Sequence, residues 1–301
     1  MYDIIIIGAG PSGMSAALYA LRAGKKVLLL EKESIGGQIA ASPRLENYPS
    51  IKEISGLDFA NNLFDQILDL GVEFELEEVL SIIKEDNTFK VQTNYNLHLG
   101  KSVIIATGVT HRKIGVGNED YYVGKGLSYC AVCDGPFYKD EEVVIVGDAN
   151  TALQYTLLLT NYCKKVTLCT LFDKFFADNI LVERLKDKNN LAIFHNLSLV
   201  KINGEKEVEE VIFNDTKINQ EVTFKTKAIF IAIGQIPNNN IFLPLVDLNK
   251  GFIVTNEKME TKTAGLYAAG DCRFKEVKQV VTATNDGAIA ATNAIKYLEG
   301  I

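Results

Sequence analysis

Two cysteines separated by two residues, Cys130 and Cys133, have the clearest capacity for chemistry in this 301-residue sequence. At the start of a helix such a pair can close a small ring, and the helix dipole lowers the thiolate pKa so that thiol–disulfide exchange runs near neutral pH. Asp134 follows directly and adds a carboxyl group that can carry a proton. We therefore predict a redox-active cysteine pair; half of a zinc site or two inert thiols are the alternatives.

The other three cysteines, Cys163, Cys169 and Cys272, are expected to be small buried hydrophobic residues. No metal site is predicted, because the three histidines are scattered singly and a second closely spaced cysteine pair is missing. An odd number of cysteines in a long chain without a signal-peptide pattern is typical of a reducing compartment, where disulfides are transient and catalytic. We therefore expect a cytoplasmic protein.

A second group with a chemical role is a glycine turn near the start of the sequence, Gly8-Ala9-Gly10-Pro11-Ser12-Gly13. In such a turn Gly8 permits the tight bend, Gly10 lets the backbone approach a pyrophosphate, and Gly13 lets helix and strand pack closely. The following helix N-terminus offers free N–H groups and a positive dipole. Glu31, roughly twenty residues further on, is expected to accept a ribose hydroxyl. The alternative is a turn that serves packing only.

The elements that must position these residues form two successive βαβ units, predicted at residues 3–31 and 142–170. A helix is predicted at 57–70 between them, followed by short strands that form a meander. A last helix, predicted at 280–298, is expected to return to the first unit. Two such units predict a doubly wound α/β fold that binds ligands at the carboxyl ends of its strands.

Length and composition limit the class of protein. A chain of 301 residues with 47% hydrophobic residues exceeds the size of one hydrophobic core, so two domains are expected. The formal net charge of −7, without a dense run of Lys and Arg, gives no reason to expect nucleic-acid binding. No apolar stretch approaches the length that spans a bilayer, so no membrane association is expected.

Along its whole length the sequence resembles the low-molecular-weight thioredoxin reductases, which are flavoproteins with two dinucleotide-binding folds. Cys130-Ala131-Val132-Cys133-Asp134-Gly135 is similar to the redox motif of the small bacterial enzymes and stands just before the second βαβ unit. The resemblance implies an α/β fold of two Rossmann-like, three-layer domains of the FAD/NAD(P)-binding type, the second inserted in the first. The FAD-binding domain would comprise residues 1–113 and 246–301. The redox-disulfide domain, with a degenerate NAD(P)-binding-like fold, would comprise residues 114–245.

Further stretches look like the flavin-side segments of that family. They are Gly36-Gly37-Gln38-Ile39, Glu46-Asn47-Tyr48-Pro49, Ala106-Thr107-Gly108, Gly270-Asp271 and Lys278-Gln279-Val280. The positions predicted by this resemblance and by the glycine turn to bind FAD are Gly8, Gly10, Pro11, Ser12, Gly13, Glu31, Gly37, Gln38, Asn47, Val79, Ala106, Thr107, Gly108, Gly270, Asp271, Gln279 and Val280. The resemblance also assigns Cys133 to the flavin-facing role and Asp134 to general acid/base catalysis, and it implies thioredoxin as substrate and a homodimer. Which sulfur attacks the partner stays open.

The second glycine turn, Gly147-Asp148-Ala149-Asn150-Thr151-Ala152, departs from the family pattern, which has glycine at the position of Ala149. Ala149 puts a methyl group where a pyrophosphate must approach, and Asp148 would bring a negative charge toward phosphates. The residues at the positions of the family's histidine and three arginines, which clamp the 2′-phosphate of NADPH, are Thr170, Leu171, Phe172 and Phe176. NADPH is therefore not expected. The alternative is a drifted but working site that uses Lys174.

Without a nicotinamide coenzyme, electrons must enter from a protein or leave to oxygen. The family contains ferredoxin-dependent flavin thioredoxin reductases and flavin-dependent dithiol oxidases that use O2, and the sequence looks like the former. Electron transfer from a plant-type ferredoxin at about −400 mV to thioredoxin at about −270 mV is downhill by about 6 kcal/mol for two electrons. The lysines proposed as a docking face for an acidic ferredoxin are Lys164, Lys165, Lys174, Lys186 and Lys188. A solvated surface is the alternative for these lysines.

Overall fold

The structure is a computed structural model that describes residues 1–42 and 45–300. The chain divides into two compact units, of which the first comprises Met1–Thr110 and Ile236–Ile301 and the second comprises His111–Gln235. The second unit is thus inserted in the sequence of the first. The predicted boundaries after residues 113 and 245 fall three and ten residues beyond these divisions (113 against 110, and 245 against 235).

The first unit begins with a strand–helix–strand sequence and continues with a helix and a β-meander. Its elements in chain order are β1 (Tyr2–Ile7), α1 (Pro11–Arg22), β2 (Val27–Glu31), α2 (Gly56–Asp69), β3 (Glu73–Leu76), β4 (Val79–Glu85), β5 (Thr88–Thr93) and β6 (Leu97–Ile105). The short strand β7 (Thr110–His111) lies at the division between the units.

The second unit contains the second strand–helix–strand sequence and an additional small antiparallel sheet. Its elements are α3 (Glu119–Tyr122), β8 (Leu127–Ser128), α4 (Ala131–Asp134), β9 (Glu142–Val146), α5 (Asn150–Leu159), β10 (Lys165–Cys169), α6 (Asn179–Leu185), β11 (Leu191–Phe194), β12 (Leu197–Asn203), β13 (Glu210–Asp215), β14 (Gln220–Lys225) and β15 (Ala228–Ile231). After β16 (Gln235–Ile236) the chain completes the first unit with β17 (Leu248–Asn249), β18 (Phe252–Ile253), β19 (Leu266–Ala268) and α7 (Val280–Glu299).

The first unit has three layers built around a parallel sheet with the strand order β3-β2-β1-β6. β19 pairs in parallel with the C-terminal part of β6, and β5 pairs antiparallel with its N-terminal part. Successive side chains of a strand point to opposite faces. Ile4 and Ile6 therefore pack against α1, α2 and α7, whereas Ile5 and Ile7 pack against residues of β4 and β5. Burial on both faces explains why β1 is apolar along most of its length.

The second unit has the same type of architecture, a parallel sheet that is covered on both faces. Its parallel sheet has the strand order β11-β10-β9-β15-β8, and β12, β13 and β14 form a separate antiparallel sheet. Val143 and Ile145 on β9 pack against α5 and α6. Val144 and Val146 face the other way and pack with residues of the antiparallel sheet. Each unit is thus a Rossmann-like α/β domain, which confirms the predicted fold class.

The predicted helices and strands are confirmed to within a few residues at most of their ends. The last helix, α7, packs against α1 as expected, and Ser15 Oγ on α1 donates a hydrogen bond of 2.7 Å to the carbonyl oxygen of Thr284 on α7. Gly287 permits this close approach, because a Cβ atom there would collide with the backbone of Ser12. Within residues 1–42 and 45–300, no helix is long and apolar enough to cross a membrane.

Candidate functional site

The first glycine turn joins β1 to α1 at the carboxyl edge of the sheet. Gly8 has a φ of +109°, and a Cβ atom there would collide with the carbonyl oxygen of Ala106, the residue that follows β6. A Cβ atom on Gly13 would collide with the carbonyl oxygen of Gly8. At Gly10 the space is open, and the nearest atom to a Cβ would be 4.0 Å away. Gly8 and Gly13 are thus required for packing. Gly10 leaves open space at the N-terminus of α1, the helix that begins at Pro11.

Glu31, the last residue of β2, is fixed by backbone N–H groups. Its Oε2 accepts a 2.8 Å hydrogen bond from Ala9 in the glycine turn, and its Oε1 accepts bonds of 2.8 and 3.0 Å from Lys32 and Glu33. A cavity of about 110 Å³ lies beside it. The predicted FAD-binding residues that line this cavity are Gly8, Glu31, Val79, Thr107 and Gly108. Residues from four separate parts of the sequence therefore meet at this cavity.

Two buried polar atoms near the glycine turn have no hydrogen-bond partner among the described residues. They are Ser12 Oγ in the first turn of α1 and Asp271 Oδ1 after β19, although Asp271 Oδ1 also forms an ion pair with Lys275 Nζ at 3.3 Å. Gly270 brings the two segments together, since a Cβ atom there would lie 2.9 Å from Ser12 Oγ. Buried polar groups are normally paired, and leaving one unpaired costs about 1–3 kcal/mol. A ligand with phosphates and hydroxyls would supply the missing partners, so these residues fit FAD.

The flavin-side segments predicted from the family are also tied to this turn or to α7. Asn47 Nδ2 donates a 3.1 Å hydrogen bond to Gln279 Oε1. Gln279 is the N-cap of α7, and Val280 is the first residue of that helix. Gly37 and Gln38 begin a short 3-10 helix, whose N-cap Gly36 donates its N–H to the carbonyl oxygen of Ala9 at 2.8 Å. The assignment of all these residues to FAD nevertheless remains a prediction.

In the second unit, Cys130 and Cys133 form a disulfide with a Cα–Cα distance of 5.3 Å. Cys130 is the N-cap of α4, and its Sγ accepts a 3.2 Å hydrogen bond from the N–H of Cys133. The predicted pairing at a helix start is thus confirmed. Both cysteines are partly exposed, and Val132 between them is exposed. The remaining cysteines are buried and free, as expected.

Asp134 lies at the end of α4 and is held by Ser128. The hydroxyl of Ser128 donates a 2.6 Å hydrogen bond to Asp134 Oδ2 and accepts a 3.0 Å bond from the N–H of Cys130. Asp134 Oδ1 is buried and has no hydrogen-bond partner among the described residues. Burial raises the pKa of Asp134, and the Ser128 bond opposes this rise. A carboxyl group with a raised pKa beside a disulfide is suited to carry a proton during its reduction.

The second glycine turn leads into α5, with Ala149 as N-cap. Two carboxylates lie at this end of the helix. Asp148 is partly buried, and desolvation raises its pKa. Asp178 accepts a 2.9 Å hydrogen bond from Asn150 Nδ2, and its own N–H donates to Asn150 Oδ1 at 2.8 Å. Carboxylates at this helix end are unfavourable neighbours for a phosphate group.

The loop at residues 170–178 connects β10 to α6 and folds back on this turn. The N–H of Phe176 donates a 2.7 Å hydrogen bond to the carbonyl oxygen of Asp148. Leu171, Phe172 and Phe176 are 48%, 50% and 53% exposed, and the rings of Phe172 and Phe176 contact each other edge to face. Lys174 Nζ lies 5.2 Å from the centre of the Phe176 ring. The loop therefore presents apolar side chains where the family carries its basic clamp.

The sequence interpretation missed several residues near the two candidate sites, because their contacts are with residues that are distant in the sequence. Tyr129, next to Cys130, stacks on His111 and donates a 2.8 Å hydrogen bond to the buried carboxylate of Glu119. Ser128 was missed although it stands two residues before the first cysteine, a spacing that could have drawn attention to it. A cluster of charged residues around Asp286 was also missed, because its members become neighbours only after folding.

Comparison with known proteins identifies the class. The family model described as Pyridine nucleotide-disulphide oxidoreductase matches residues 2–287. The chain is therefore an enzyme of the flavin-dependent disulfide oxidoreductase type.

The most similar relatives narrow this class. The chain is 40% identical over 301 residues to a thioredoxin reductase of Bacillus subtilis strain 168, covering 99% of this chain and 95% of that protein. It is 38% identical over 299 residues to the thioredoxin reductase of Treponema pallidum strain Nichols, covering 99% and 97%. The crystal structure of thioredoxin reductase from Streptococcus pyogenes MGAS5005 superposes with a TM-score of 0.96 at 35% identity, covering 100% and 99%. The chain belongs to the thioredoxin reductase family. None of these three names specifies ferredoxin as donor.

Proposed function

We propose that this chain passes electrons from FAD through the Cys130–Cys133 disulfide to thioredoxin, and that ferredoxin rather than NADPH supplies them. Thioredoxin as substrate is supported by the names of the relatives described above. A homodimer and a cytoplasmic location belong to the same proposal. The donor is its most specific part and depends on the second unit.

The observation that carries the donor proposal is the 170–178 loop. Its cation, Lys174, lies against the Phe176 ring, and the other positions of the family clamp hold apolar or uncharged side chains. Asp148 and Asp178 add negative charge at the N-terminal end of α5. A 2′-phosphate at the clamp positions would meet no arginine at residues 171, 172 and 176, and the coenzyme phosphates would approach two carboxylates at the start of α5. NADPH would therefore bind several powers of ten more weakly than at a clamped site.

The residues of the second unit have distinct roles in the proposed reaction. Reduction breaks the S–S bond and consumes two electrons and two protons to give two thiols. Cys133 would receive the electron pair as the S–S bond breaks, and Cys130 would leave as a thiolate that takes up a proton to become a thiol. Asp134 holds a proton close to the cysteine pair, and Ser128 fixes its position. When bound, FAD accepts single electrons and delivers them in pairs, which lets a one-electron donor serve a two-electron reaction.

The lysines predicted to dock ferredoxin are only partly available. Lys164 Nζ lies 3.5 Å from Glu142, and Lys186 Nζ lies 2.8 Å from Glu183. Lys188 donates to Asn161 at 3.1 Å. Lys165 and Lys174 remain the members best placed to meet an acidic partner, so the docking face is smaller than the sequence pattern indicated.

The second candidate is an NADPH-dependent thioredoxin reductase with a drifted coenzyme site. It is favoured by the family model, which is named for pyridine nucleotides, and by the similarity to relatives named thioredoxin reductases. A flavin-dependent dithiol oxidase that uses O2 remains the third possibility from the sequence.

Two measurements on the purified flavoprotein separate the three candidates: anaerobic titration with each electron donor, and a peroxide assay in air. We expect reduced ferredoxin to bleach the flavin absorbance and NADPH at micromolar concentration to leave it unchanged. Bleaching by micromolar NADPH would overturn the donor proposal in favour of the second candidate. Peroxide release when a dithiol is added in air, without bleaching by ferredoxin, would support the oxidase. Thioredoxin reduction is then measured with the donor that bleaches the flavin.

A further inference from the structure

Four charged side chains form a cluster between β19 and α7 in the first unit. Lys275 Nζ lies 3.0 Å from Asp286 Oδ2 and 3.3 Å from Asp271 Oδ1. Arg273 lies 3.0 Å from the other oxygen of Asp286. The exposed fractions of the Lys275 and Asp286 side chains are 10% and 5%, so solvent does little to screen these charges.

Asp286 is the fixed centre of this cluster. It projects from α7 and also accepts a 3.1 Å hydrogen bond from the N–H of Gly270, the residue before Asp271. Because α7 packs along α1, the carboxylate of Asp286 has a defined position relative to the glycine turn. The cations of Lys275 and Arg273 are therefore held by a buried anion and by packing.

Asp271 is the member of the cluster that is assigned to the ligand. Its Oδ1 is buried, lies beside Lys275 and has no hydrogen-bond partner among the described residues. Burial raises the pKa of Asp271, whereas the charge of Lys275 lowers it. Lys275 therefore favours the ionised carboxylate, which can accept hydrogen bonds from hydroxyl groups with both oxygens.

We infer that Lys275, anchored by Asp286, is a positioning residue for FAD binding that orients Asp271 and keeps it an acceptor for a ligand hydroxyl. This inference rests on the proposed assignment of Asp271 to FAD. It adds that the ion pair of Lys275 with Asp286, which lies beside Asp271, sets the strength of that contact. Neither Lys275 nor Asp286 needs to touch the cofactor.

The test is a double-mutant cycle on the dissociation constant for FAD, measured by quenching of flavin fluorescence when FAD is added to apoprotein. We expect Lys275→Met and Asp271→Asn each to weaken binding about tenfold or more, the effect of losing one charge-assisted hydrogen bond. The double variant is expected to bind no more weakly than Asp271→Asn within about twofold, because Lys275 acts through Asp271. Lys275→Arg should retain near-native affinity.

Two further variants keep the outcome clear. Asp286→Asn should weaken FAD binding in the same direction, and it carries the test if Lys275→Met does not fold by circular dichroism. Lys262→Met removes an exposed lysine that pairs with Asp247 at 2.9 Å and should leave FAD affinity unchanged. The inference would be overturned if the losses of FAD-binding free energy in the two single variants added up in the double variant, or if Lys275→Met bound FAD with native affinity. Either result would leave the role of Asp271 intact. Native affinity for Asp271→Asn would overturn both that role and the inference. None of these outcomes depends on the electron donor.

Discussion

If NADPH is not the donor, as proposed, arginine at positions 172 and 176 is expected to create a flavin response to NADPH. Phe172 and Phe176 lie on the loop that folds onto the second glycine turn, and about half of each side chain is exposed. Phe172→Arg combined with Phe176→Arg therefore opens no large cavity. The substitution removes one edge-to-face aromatic pair, which contributes about 0.5–1.5 kcal/mol, so the fold should survive with a modest loss of stability.

The expected gain in NADPH affinity follows from the number of new contacts between the arginines and the 2′-phosphate. Each charge-assisted hydrogen bond between a guanidinium group and the 2′-phosphate contributes about 1.5–3 kcal/mol. Two such contacts give about 3–6 kcal/mol, or roughly 10²- to 10⁴-fold tighter binding of NADPH. Asp148 and Asp178 remain in place and reduce this gain, so the lower end of the range is the expected value.

The assay is the rate and extent of flavin bleaching under anaerobic conditions as a function of coenzyme concentration. Flavin bleaching by the double arginine variant should increase with NADPH and not with NADH, because NADH lacks the 2′-phosphate. The matched control combines Phe172→Gln with Phe176→Gln, which removes the same rings without adding charge and should leave both titrations unchanged. Equal gains with NADPH and NADH, or bleaching of the unmodified protein at micromolar NADPH, would refute the reasoning.

Three further substitutions test the remaining parts of the site. Ser128→Ala removes the hydrogen bond that lowers the pKa of Asp134, so the limb of the pH–rate profile governed by Asp134 should move to higher pH, whereas Ser128→Thr should restore it. A shift that Ser128→Thr does not reverse would exclude this role for the hydroxyl. Gly13→Ala forces a methyl group onto the carbonyl oxygen of Gly8 and should cost about 2 kcal/mol or more of stability together with FAD content, measured by thermal unfolding and flavin absorbance. Cys133→Ser should abolish thioredoxin reduction at unchanged FAD content; retained activity would contradict the disulfide mechanism.

Local patterns explain why much of the fold could be predicted. The apolar stretch of β1 followed by the glycine turn and α1 specified one Rossmann-like unit, and the repeat at β9 and α5 specified the second. The spacing of Cys130 and Cys133, together with the family resemblance, predicted the disulfide that the structure contains. The predicted domain boundaries lie three and ten residues beyond the divisions between the two compact units, where the short strands carry no strong sequence signal.

The sequence by itself determined which chemical groups are present, namely the glycine turn and the cysteine pair. It also showed that the clamp positions 171, 172 and 176 carry no arginine. These depend on residue type and short spacing, which a linear sequence displays directly. The tertiary structure alone decided which groups face one another. Lys275 and Asp286 are separated by a turn and part of a helix, and Ser128 and Asp134 by the redox loop, yet each pair is in contact. These contacts, and the raised pKa of Asp134, depend on distance and burial, and both quantities exist only after the chain has folded.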